Sequence, residues 1–264
     1  MRSDHLATEE PMEIRLITQG VRRTLAVTMR TPGNDFELAA GFLYAEGVIA
    51  SRHDIERITY CVDPDIDAAQ QYNIVNVTLR RNLAPDLAPL ERHFYTTSAC
   101  GVCGKASLEA LTVRNCPVIQ EGPEIPVEVL YSLPDKLAAA QDVFQKTGGL
   151  HAAALFGTSG QLIQAREDVG RHNALDKLVG WALLEGKVPL RATILLVSGR
   201  ASFEILQKAL AASIPIVCAI SAPSSLAVDL ARQFGITLIG FLRGERCNVH
   251  TSPERILLPL KVLT

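Results

Sequence analysis

The sequence has almost no net charge and no long apolar run, and these two absences exclude whole classes of partner. Lysine plus arginine number 26 and aspartate plus glutamate number 28, so no basic excess points to DNA or RNA. The N-terminal stretch MRSDHLATEEPMEIRL is polar and acidic and has no apolar signal core. The longest apolar runs, ATILLV and IPIVCAI, have the length of buried strands rather than membrane spans. We therefore expect no nucleic acid, no membrane and a cytoplasmic location.

Common nucleotide-binding motifs and a disulfide framework are also missing. The chain contains no GxxxxGK[ST] and no GxGxxG, so neither a P-loop nor the standard dinucleotide fingerprint is expected. Of the six cysteines, only Cys100 and Cys103 are closely spaced, and without a signal peptide we expect the thiols to stay reduced. Cys218, inside IPIVCAI, is predicted to be a buried and inert thiol.

Residues 1–85 are predicted to form a small α+β domain. The segments EIRLIT, TLAVTMR, ERITYCV and YNIVNVTLR have the composition of strands, with a turn at Gln19-Gly20 between the first two. The intervening FELAAGFLYAEGVI has helical spacing of its apolar residues. RNLAPDLAPLERH has two prolines, mixed charge and no period, which is typical of a linker. We therefore place a domain boundary near residue 85.

Residues 86–264 are predicted to form a larger α/β domain. SLPDKLAAAQDVFQKTGG is expected to be one helix with Ser132 as its N-cap and Gly148-Gly149 as its stop. HAAALFGTSGQLIQARED is expected to be a hairpin. The strands ATILLV, IPIVCAI and ITLIGFL are each followed by a loop rich in Gly, Ser or Arg. Strands that alternate with helices predict mainly parallel pairing, with a ligand crevice at the loops that follow the strands.

Several of these loops carry groups that suit an anion. In REDVGRHNALDK, Asp168 is predicted to be the N-cap of a helix, which places Arg171 and His172 in its first turn, where cations oppose the helix dipole. Either these two side chains reach solvent or pair with Glu167 and Asp168, or an anionic ligand lies at the helix start.

The loops SGRAS, SAPSS and RGER repeat the same composition. Because the predicted sheet brings them to one edge, a phosphate-rich ligand is favoured. The side chains singled out in these three loops are Ser198, Arg200, Ser221, Arg243 and Arg246.

The pair Cys100 and Cys103, in ACGVCGKASLEAL, allows several chemistries. A structural zinc site needs about four ligands, and no second close pair exists. A thioredoxin-like redox pair belongs at a helix start in a smaller domain of different organisation. A zinc deaminase needs His-x-Glu and a later Pro-Cys-x-x-Cys, whereas GGLHAAA has Ala153 in the glutamate position and the cysteine pair precedes the histidine.

Sulfur transfer is the remaining chemistry. Flanking glycines keep the segment accessible, and Lys105 together with a helix start at ASLEAL would favour the reactive thiolate. From the residues alone, a zinc-binding or thiol-redox protein with a nucleotide-binding α/β domain stays the alternative.

The motifs CGVCGKASLE, TGGLHAAA, REDVGRHNALDK, SGRASFEILQKA, SAPSSLAVDLA and TLIGFLRGERCNVH together resemble the FdhD/NarQ family of formate dehydrogenase accessory sulfurtransferases. The resemblance runs from about residue 12 to 264. It implies a cytidine-deaminase-like three-layer α/β/α domain preceded by a small α+β domain.

The resemblance also implies a function and a set of site residues. Cys100, with Cys103, takes persulfide sulfur from a cysteine desulfurase and passes it to the bis(molybdopterin guanine dinucleotide) form of the molybdenum cofactor for formate dehydrogenase. The resemblance further implies a homodimer. From Ala153 and the missing second cysteine motif we expect no tightly held zinc and no deaminase activity. The family pattern places cofactor binding at Phe241, Leu242, Arg243, Gly244, Glu245 and Arg246. To these the loop argument adds Arg171, His172, Ser198, Arg200 and Ser221.

Overall fold

The computed structural model describes residues 4–80, residue 85 and residues 118–259. Cys100, Cys103, Lys105 and most of the predicted linker lie outside the described residues, so the expectations about them stay predictions. Within the described ranges, no helix is both long enough and apolar enough to cross a membrane.

The described N-terminal residues form a four-stranded sheet with a helix against it. The elements are β1 (Glu10–Thr18), β2 (Val21–Arg30), α1 (Asp35–Ala45), β3 (Ile55–Tyr60), α2 (Ala68–Gln71) and β4 (Ile74–Leu79). The strand order is β2-β1-β4-β3, with β1 and β4 parallel and the other neighbours antiparallel. Gln19 and Gly20 both have positive φ, which confirms the predicted turn. Alternate β1 residues Met12, Ile14 and Leu16 are buried in one core with α1, as a period of two requires.

A six-stranded sheet organises the described residues from 118 onward. Its strands are β6 (His151–Gly157), β7 (Leu162–Asp168), β8 (Thr193–Val197), β9 (Ile216–Ala219), β10 (Thr237–Arg243) and β11 (Arg246–Val249). A separate pair joins β5 (Ile125–Pro126) to β12 (Ile256–Leu257).

The order of the six-stranded sheet is β11-β10-β9-β8-β6-β7. Only β8, β9 and β10 are parallel to one another, whereas β6, β7 and β11 join in antiparallel fashion. Parallel pairing is therefore confirmed for the three strands that alternate with helices. The predicted hairpin of β6 and β7 and the hairpin of β10 and β11 are antiparallel, as tight hairpins must be.

Helices cover both faces of this sheet, which gives three layers. They are α3 (Val127–Ala139), α4 (Asp142–Thr147), α5 (Arg171–Leu184), α6 (Phe203–Ala211) and α7 (Ser225–Phe234). Leu195 and Val197 of β8 are buried with α5, α6 and α7, while Ile194 and Leu196 are buried with α3 on the opposite face. Each such side chain contributes about 1.5–3 kcal/mol when fully buried.

The helix predicted to begin at Ser132 is wrong at its start and in its continuity. Helix α3 begins at Val127, contains Pro134 and ends at Ala139, and a separate helix, α4, begins at Asp142. Val127, Leu130 and Leu137 lie on its buried side, so the apolar spacing outweighs the usual exclusion of proline from a helix interior. The predicted stop is confirmed, because Gly148 has φ 66° directly after α4.

Helices α1 and α5 join the two sheets at very close range. A Cβ atom added to Gly180 would lie 1.8 Å from the Glu37 carbonyl oxygen, and one added to Gly41 would lie 1.9 Å from the Asp176 carbonyl oxygen. Leu183 of α5 is part of the same core as α1. The N-terminal sheet therefore packs onto the helix whose first turn carries Arg171 and His172, while the boundary near residue 85 stays a prediction.

Candidate functional site at the carboxyl edge of the sheet

Three neighbouring segments lie side by side, as predicted: the loop after β8, the loop after β9 and the last residues of β10. The Ala201 backbone N–H donates to the Ala222 carbonyl oxygen (3.2 Å), and the Ser224 N–H donates to the Ala201 carbonyl oxygen (3.0 Å). The Phe241 N–H donates to the Ser221 carbonyl oxygen at 3.1 Å. These bonds fix three consecutive loops into one surface, which we call the carboxyl edge.

Asp168 shapes the approach to this edge, but it is not the helix N-cap. It ends β7, and Gly170 is the N-cap of α5. One carboxylate oxygen of Asp168 accepts from the Gly170 N–H at 2.8 Å, and the other accepts from the Thr31 N–H at 3.1 Å. Its charge is matched by Lys177, whose Nζ lies at 2.7 Å. The prediction that Asp168 accepts a backbone N–H close to the helix start is therefore correct. Its position is different, because Asp168 is the last residue of β7 and the helix begins at Arg171.

His172 projects from the first turn of α5 toward the start of α6. Its Nε2 lies 3.2 Å from the Ser202 Oγ and 3.8 Å from a Glu204 carboxylate oxygen. Burial lowers the pKa of His172 to about 4, and the positive charges of Arg171 and Lys208 act in the same direction. The imidazole is therefore neutral at pH 7.

Arg171 does not make the predicted pairs with Glu167 or Asp168. The Glu167 carboxylate accepts instead from the Val143 and Phe144 N–H groups at 3.1 Å and 2.8 Å. Asp168 is engaged as described above. The Nε atom of Arg171 is buried and has no hydrogen-bond partner among the described residues. The Arg171 Nε is therefore a hydrogen-bond donor whose acceptor is not found among the described residues.

His151 completes the cluster, although the sequence motifs had singled it out only as the histidine of GGLHAAA in the deaminase comparison. It begins β6, which runs antiparallel to β8, so it lies beside the loop that leaves β8. A Cβ atom on Gly199 would lie 3.3 Å from the His151 Nδ1 and 3.7 Å from the Arg171 Cδ. Burial, and next the charge of Arg171, lowers the pKa of His151. The sequence did contain a clue to this position. When two strands pair antiparallel, the first residue of one lies beside the last residue of the other, so a histidine that begins β6 lies where β8 ends.

The predicted loop residues differ in how free they are. The Ser198 Oγ accepts from the Ala152 N–H at 2.9 Å, so this hydroxyl also holds β6 to β8. Arg200 is exposed, and Ser221 is half-buried beside Phe241. All of them lie at the carboxyl edge.

The hairpin of β10 and β11 carries the remaining predicted residues. Phe241 is 43% exposed and has φ 54°, an uncommon conformation for a bulky residue, so it is not a core side chain. Leu242 is fully buried, which leaves only its backbone to meet a ligand. Arg243 donates from Nε to the Ile220 carbonyl oxygen at 3.3 Å. Gly244 turns the chain with φ 50°, and the exposed Glu245 and Arg246 follow it.

The described thiols are poor candidates for sulfur chemistry. Cys218 is fully buried, as predicted, and burial raises its pKa. Burial also raises the pKa of the half-buried Cys247. A high pKa disfavours the nucleophilic thiolate. Within the described ranges no group of three or more His, Cys, Asp or Glu side chains is placed to hold a metal ion, and the zinc expectation for Cys100 and Cys103 stays untested.

The segment compared with the His-x-Glu motif of zinc deaminases forms a strand, since His151 to Ala153 belong to β6. The backbone of Ala153 pairs with β7 on one side and with β8 on the other. The segment that does open a helix at this edge reads Arg171-His172-Asn173.

Comparisons with known proteins agree over nearly the whole chain. The model of the FdhD/NarQ family matches residues 7–257. Sulfur carrier protein FdhD of Streptomyces avermitilis is 55% identical over 260 residues, which cover 97% of this chain and 90% of the relative. The protein of the same name from Sulfurisphaera tokodaii is 46% identical over 257 residues, covering 97% and 93%. A crystal structure described as a formate dehydrogenase accessory protein from Desulfotalea psychrophila aligns with a TM-score of 0.72 and 27% identity, covering 96% of this chain and 91% of that one.

Proposed function

Because the chain belongs to the FdhD/NarQ family, we propose that it is a sulfur carrier that supports the maturation of formate dehydrogenase. The observation that carries this proposal is the 55% identity to a sulfur carrier protein across 97% of the chain. The likeness to a formate dehydrogenase accessory protein over 96% of the chain supports the second half.

The sulfur is carried on Cys100, assisted by Cys103. A Cys100 thiolate attacks the terminal sulfur of a persulfide on a cysteine desulfurase. A new S–S bond forms on Cys100, the old S–S bond breaks, and the desulfurase cysteine leaves as a thiolate. The exchange needs no outside oxidant. Buried Cys218 supports this choice indirectly, because its thiol has a raised pKa and cannot compete.

The recipient is the bis(molybdopterin guanine dinucleotide) molybdenum cofactor, which is cargo rather than a resident group. Its guanine nucleotide part lies along the carboxyl edge, between Arg171 and His172 at one end and Phe241, Arg243 and Arg246 at the other. The loops after β8 and β10 are two strand spacings apart, or about 10 Å, a length that a nucleoside diphosphate can span. Arginine pairs bidentately with phosphate, and exposed Phe241 offers a flat surface to a base.

The larger unit is proposed to have the cytidine-deaminase-like fold without its zinc motifs. Helices on both faces of the sheet and helix starts at α5 and α6 fit that fold. Those two starts read RHN and SGRASF, and neither supplies a cysteine pair. We further propose that the protein works in the cytoplasm as a homodimer.

Mass spectrometry tests the sulfur carrier directly. The purified protein is incubated with a cysteine desulfurase and cysteine, and the intact mass is measured before and after reduction. We expect a gain of sulfur that a reductant removes, abolished in Cys100→Ser and retained in the matched control Cys247→Ser. Cys103→Ser is expected to impair transfer to the cofactor.

The same samples separate the alternative function. Metal analysis of the untreated protein is expected to find no stoichiometric zinc. Zinc bound through Cys100 and Cys103, with no sulfur gain, would replace the carrier with a zinc protein. Sulfur gain that persists in Cys100→Ser would move the carrier role to another cysteine.

A further inference from the structure

Two basic side chains lie against a glycine at the carboxyl edge, and a third lies beside them. His151 from β6 and Arg171 from α5 both approach Gly199, at 3.3 Å and 3.7 Å from where its Cβ would be. His172 follows Arg171 and contacts the Ser202 hydroxyl at 3.2 Å. We call His151, Arg171, His172, Gly199 and Ser202 the histidine pocket. Because position 199 has no side chain, the His151 ring and the aliphatic part of the Arg171 side chain lie close to its backbone.

Glu204 is the described carboxylate that acts on the charges of Arg171 and His172, and the other carboxylates near this pocket are committed elsewhere. Asp168 is committed to Lys177 at 2.7 Å, and Asp176 is committed to Lys208 at 2.7 Å. The remaining neighbour is Glu204, which lies 3.8 Å from His172 with its side chain 56% exposed. Meanwhile the Arg171 Nε is buried with no hydrogen-bond partner among the described residues. A buried donor of a charged group that lacks an acceptor is costly, and an anion would satisfy it.

The pKa values of His151 and His172 are lowered in part by nearby positive charge, and a bound anion would counteract that effect. Burial is the largest cause of the lowered pKa of His172, followed by Arg171 on its own helix and Lys208 on α6, with His151 on β6 acting in the same direction. Glu204 on α6 is the one described group that opposes them. A bound anion would add a second negative charge next to the imidazoles and offset Arg171.

We propose that the histidine pocket binds one oxyanion of the phosphate type and takes up a proton as it does so. The inference deepens the proposed nucleotide site and rests on it only for the identity of the natural ligand, a phosphate group of the cofactor. His151 and His172 then act as phosphate ligands that become donors on binding, and Arg171 is the fixed cation between them.

The direction of the pH dependence follows from linkage. In the free protein His172 titrates at a pKa of about 4, and an anion in contact raises the pKa of a histidine by about 1–3 pH units. Between these two values the bound state holds more protons than the free state. Affinity for the anion is therefore highest at low pH and falls as pH rises through the pKa of the bound state.

Sulfate is the probe of choice, because it does not itself titrate near neutral pH. Protein with isotope-labelled histidine is titrated from pH 8 downward by NMR, with and without saturating sulfate. We expect the midpoint of His172 or His151 to rise by about 1–3 pH units with sulfate. The exposed His53 lies on a different element and serves as the internal control. Unchanged midpoints for both His151 and His172 at saturating sulfate would overturn the proposal.

Three variants sharpen the assignment by calorimetric titration with pyrophosphate. His172→Gln is expected to weaken binding by about tenfold, as for loss of one hydrogen bond to a charged group, and to reduce the pH dependence to what His151 and the probe itself contribute. Glu204→Gln is expected to strengthen binding, because the opposing carboxylate is gone. His53→Gln is the matched control with no change. If His172→Gln binds pyrophosphate like the parent at every pH, the histidine is not a ligand.

A further arm separates this inference from the proposed function. GDP and pyrophosphate are compared on the same protein. Pyrophosphate binding with proton uptake but no gain from the guanosine part would keep the histidine pocket and sink the nucleotide site. GDP binding that is independent of pH and insensitive to His151→Asn and His172→Gln would keep the nucleotide site and sink the pocket.

Discussion

Two basic residues less than two turns apart on α5 are treated in opposite ways. Lys177 is buried and meets the buried Asp168 at 2.7 Å, and it also donates to the Thr31 carbonyl oxygen at 2.8 Å. The Arg171 Nε is buried and meets no acceptor among the described residues. The first cation ties the N-terminal sheet to the larger one. The second faces Gly199 and the open edge.

The different pairing of Lys177 and Arg171 suggests different roles for the two side chains, one in folding and one in binding. Placing a charge in a protein interior costs several kcal/mol, and a nearby opposite charge offsets that cost only when the geometry is good. Lys177, Lys208 and Arg30 are each offset by an aspartate at 2.7–3.1 Å. The Arg171 side chain is only half-buried, and its buried Nε has no acceptor among the described residues, so its charge is offset less directly than those of the other three. Four predictions test this comparison.

The largest effect is expected on breaking the paired cation. Asp168→Asn leaves Lys177 buried without a counter-charge and is expected to lower the free energy of unfolding by about 3–5 kcal/mol, measured by urea denaturation. Arg171→Gln is the matched change on the same helix and is expected to cost less than about 1 kcal/mol while anion binding is lost. Equal destabilisation by both variants would contradict the distinction.

The arginines at the other end of the edge should affect binding rather than folding. Arg243→Ala and Arg246→Ala are each expected to weaken GDP binding by about 1.5–3 kcal/mol, or one to two decades of affinity, in calorimetric titration. Cys100→Ser serves as the control and is expected to bind GDP like the parent. If GDP binds both arginine variants as well as the parent, the nucleotide lies elsewhere.

The joint between the two sheets is expected to be sensitive to a single methyl group. Gly180→Ala places a Cβ atom 1.8 Å from the Glu37 carbonyl oxygen, so α1 and α5 must move apart, at a cost of about 1–3 kcal/mol. Thermal unfolding measures the loss. Gly149→Ala, where the nearest atom would be at 3.4 Å, is the control. A parent-like melting temperature for Gly180→Ala would mean that the helices can separate freely.

The smallest effect is expected for an ion pair in solvent. Arg232 and Asp229 of α7 are 3.4 Å apart with side chains 66% and 54% exposed. Asp229→Asn is expected to change the free energy of unfolding by less than about 0.5 kcal/mol in the same urea experiment. A cost comparable with that of Asp168→Asn would mean that burial does not set the value of these pairs.

Local patterns along the chain were sufficient for much of the fold. The strands of the first sheet, the turn at Gln19-Gly20 and the hairpin of β6 and β7 were predicted at nearly their observed bounds, because alternation and turn residues act over a few positions. The start of α3 was missed because Pro134 is a strong local signal that apolar packing overrides. Parallel pairing was predicted correctly for β8, β9 and β10. The antiparallel pairing of β6 with β8 was not predicted, because these strands are distant in the chain.

The site divides in the same manner. Gly/Ser/Arg loops after apolar strands predicted a shared anion-binding edge, and the structure joins those loops through backbone hydrogen bonds. His151 as a part of that edge was missed, since its neighbours Arg171 and Gly199 are 20 and 48 positions away and meet it only when β6 pairs with β8. Leu242 was included with its neighbours, although its side chain points into the core.

The sequence by itself determined the family and most element types, because these follow from motifs and short-range periodicity, and it predicted that the loops after β8, β9 and β10 share one edge. Only the tertiary structure decided which charges are compensated. Asp168, Lys177 and Arg171 lie within ten residues of one another, and every pairing among them is possible along the chain. The fold gives the carboxylate to Lys177 and leaves Arg171 facing Gly199, because burial and distance, which set electrostatic free energy, exist only once the sheets have packed.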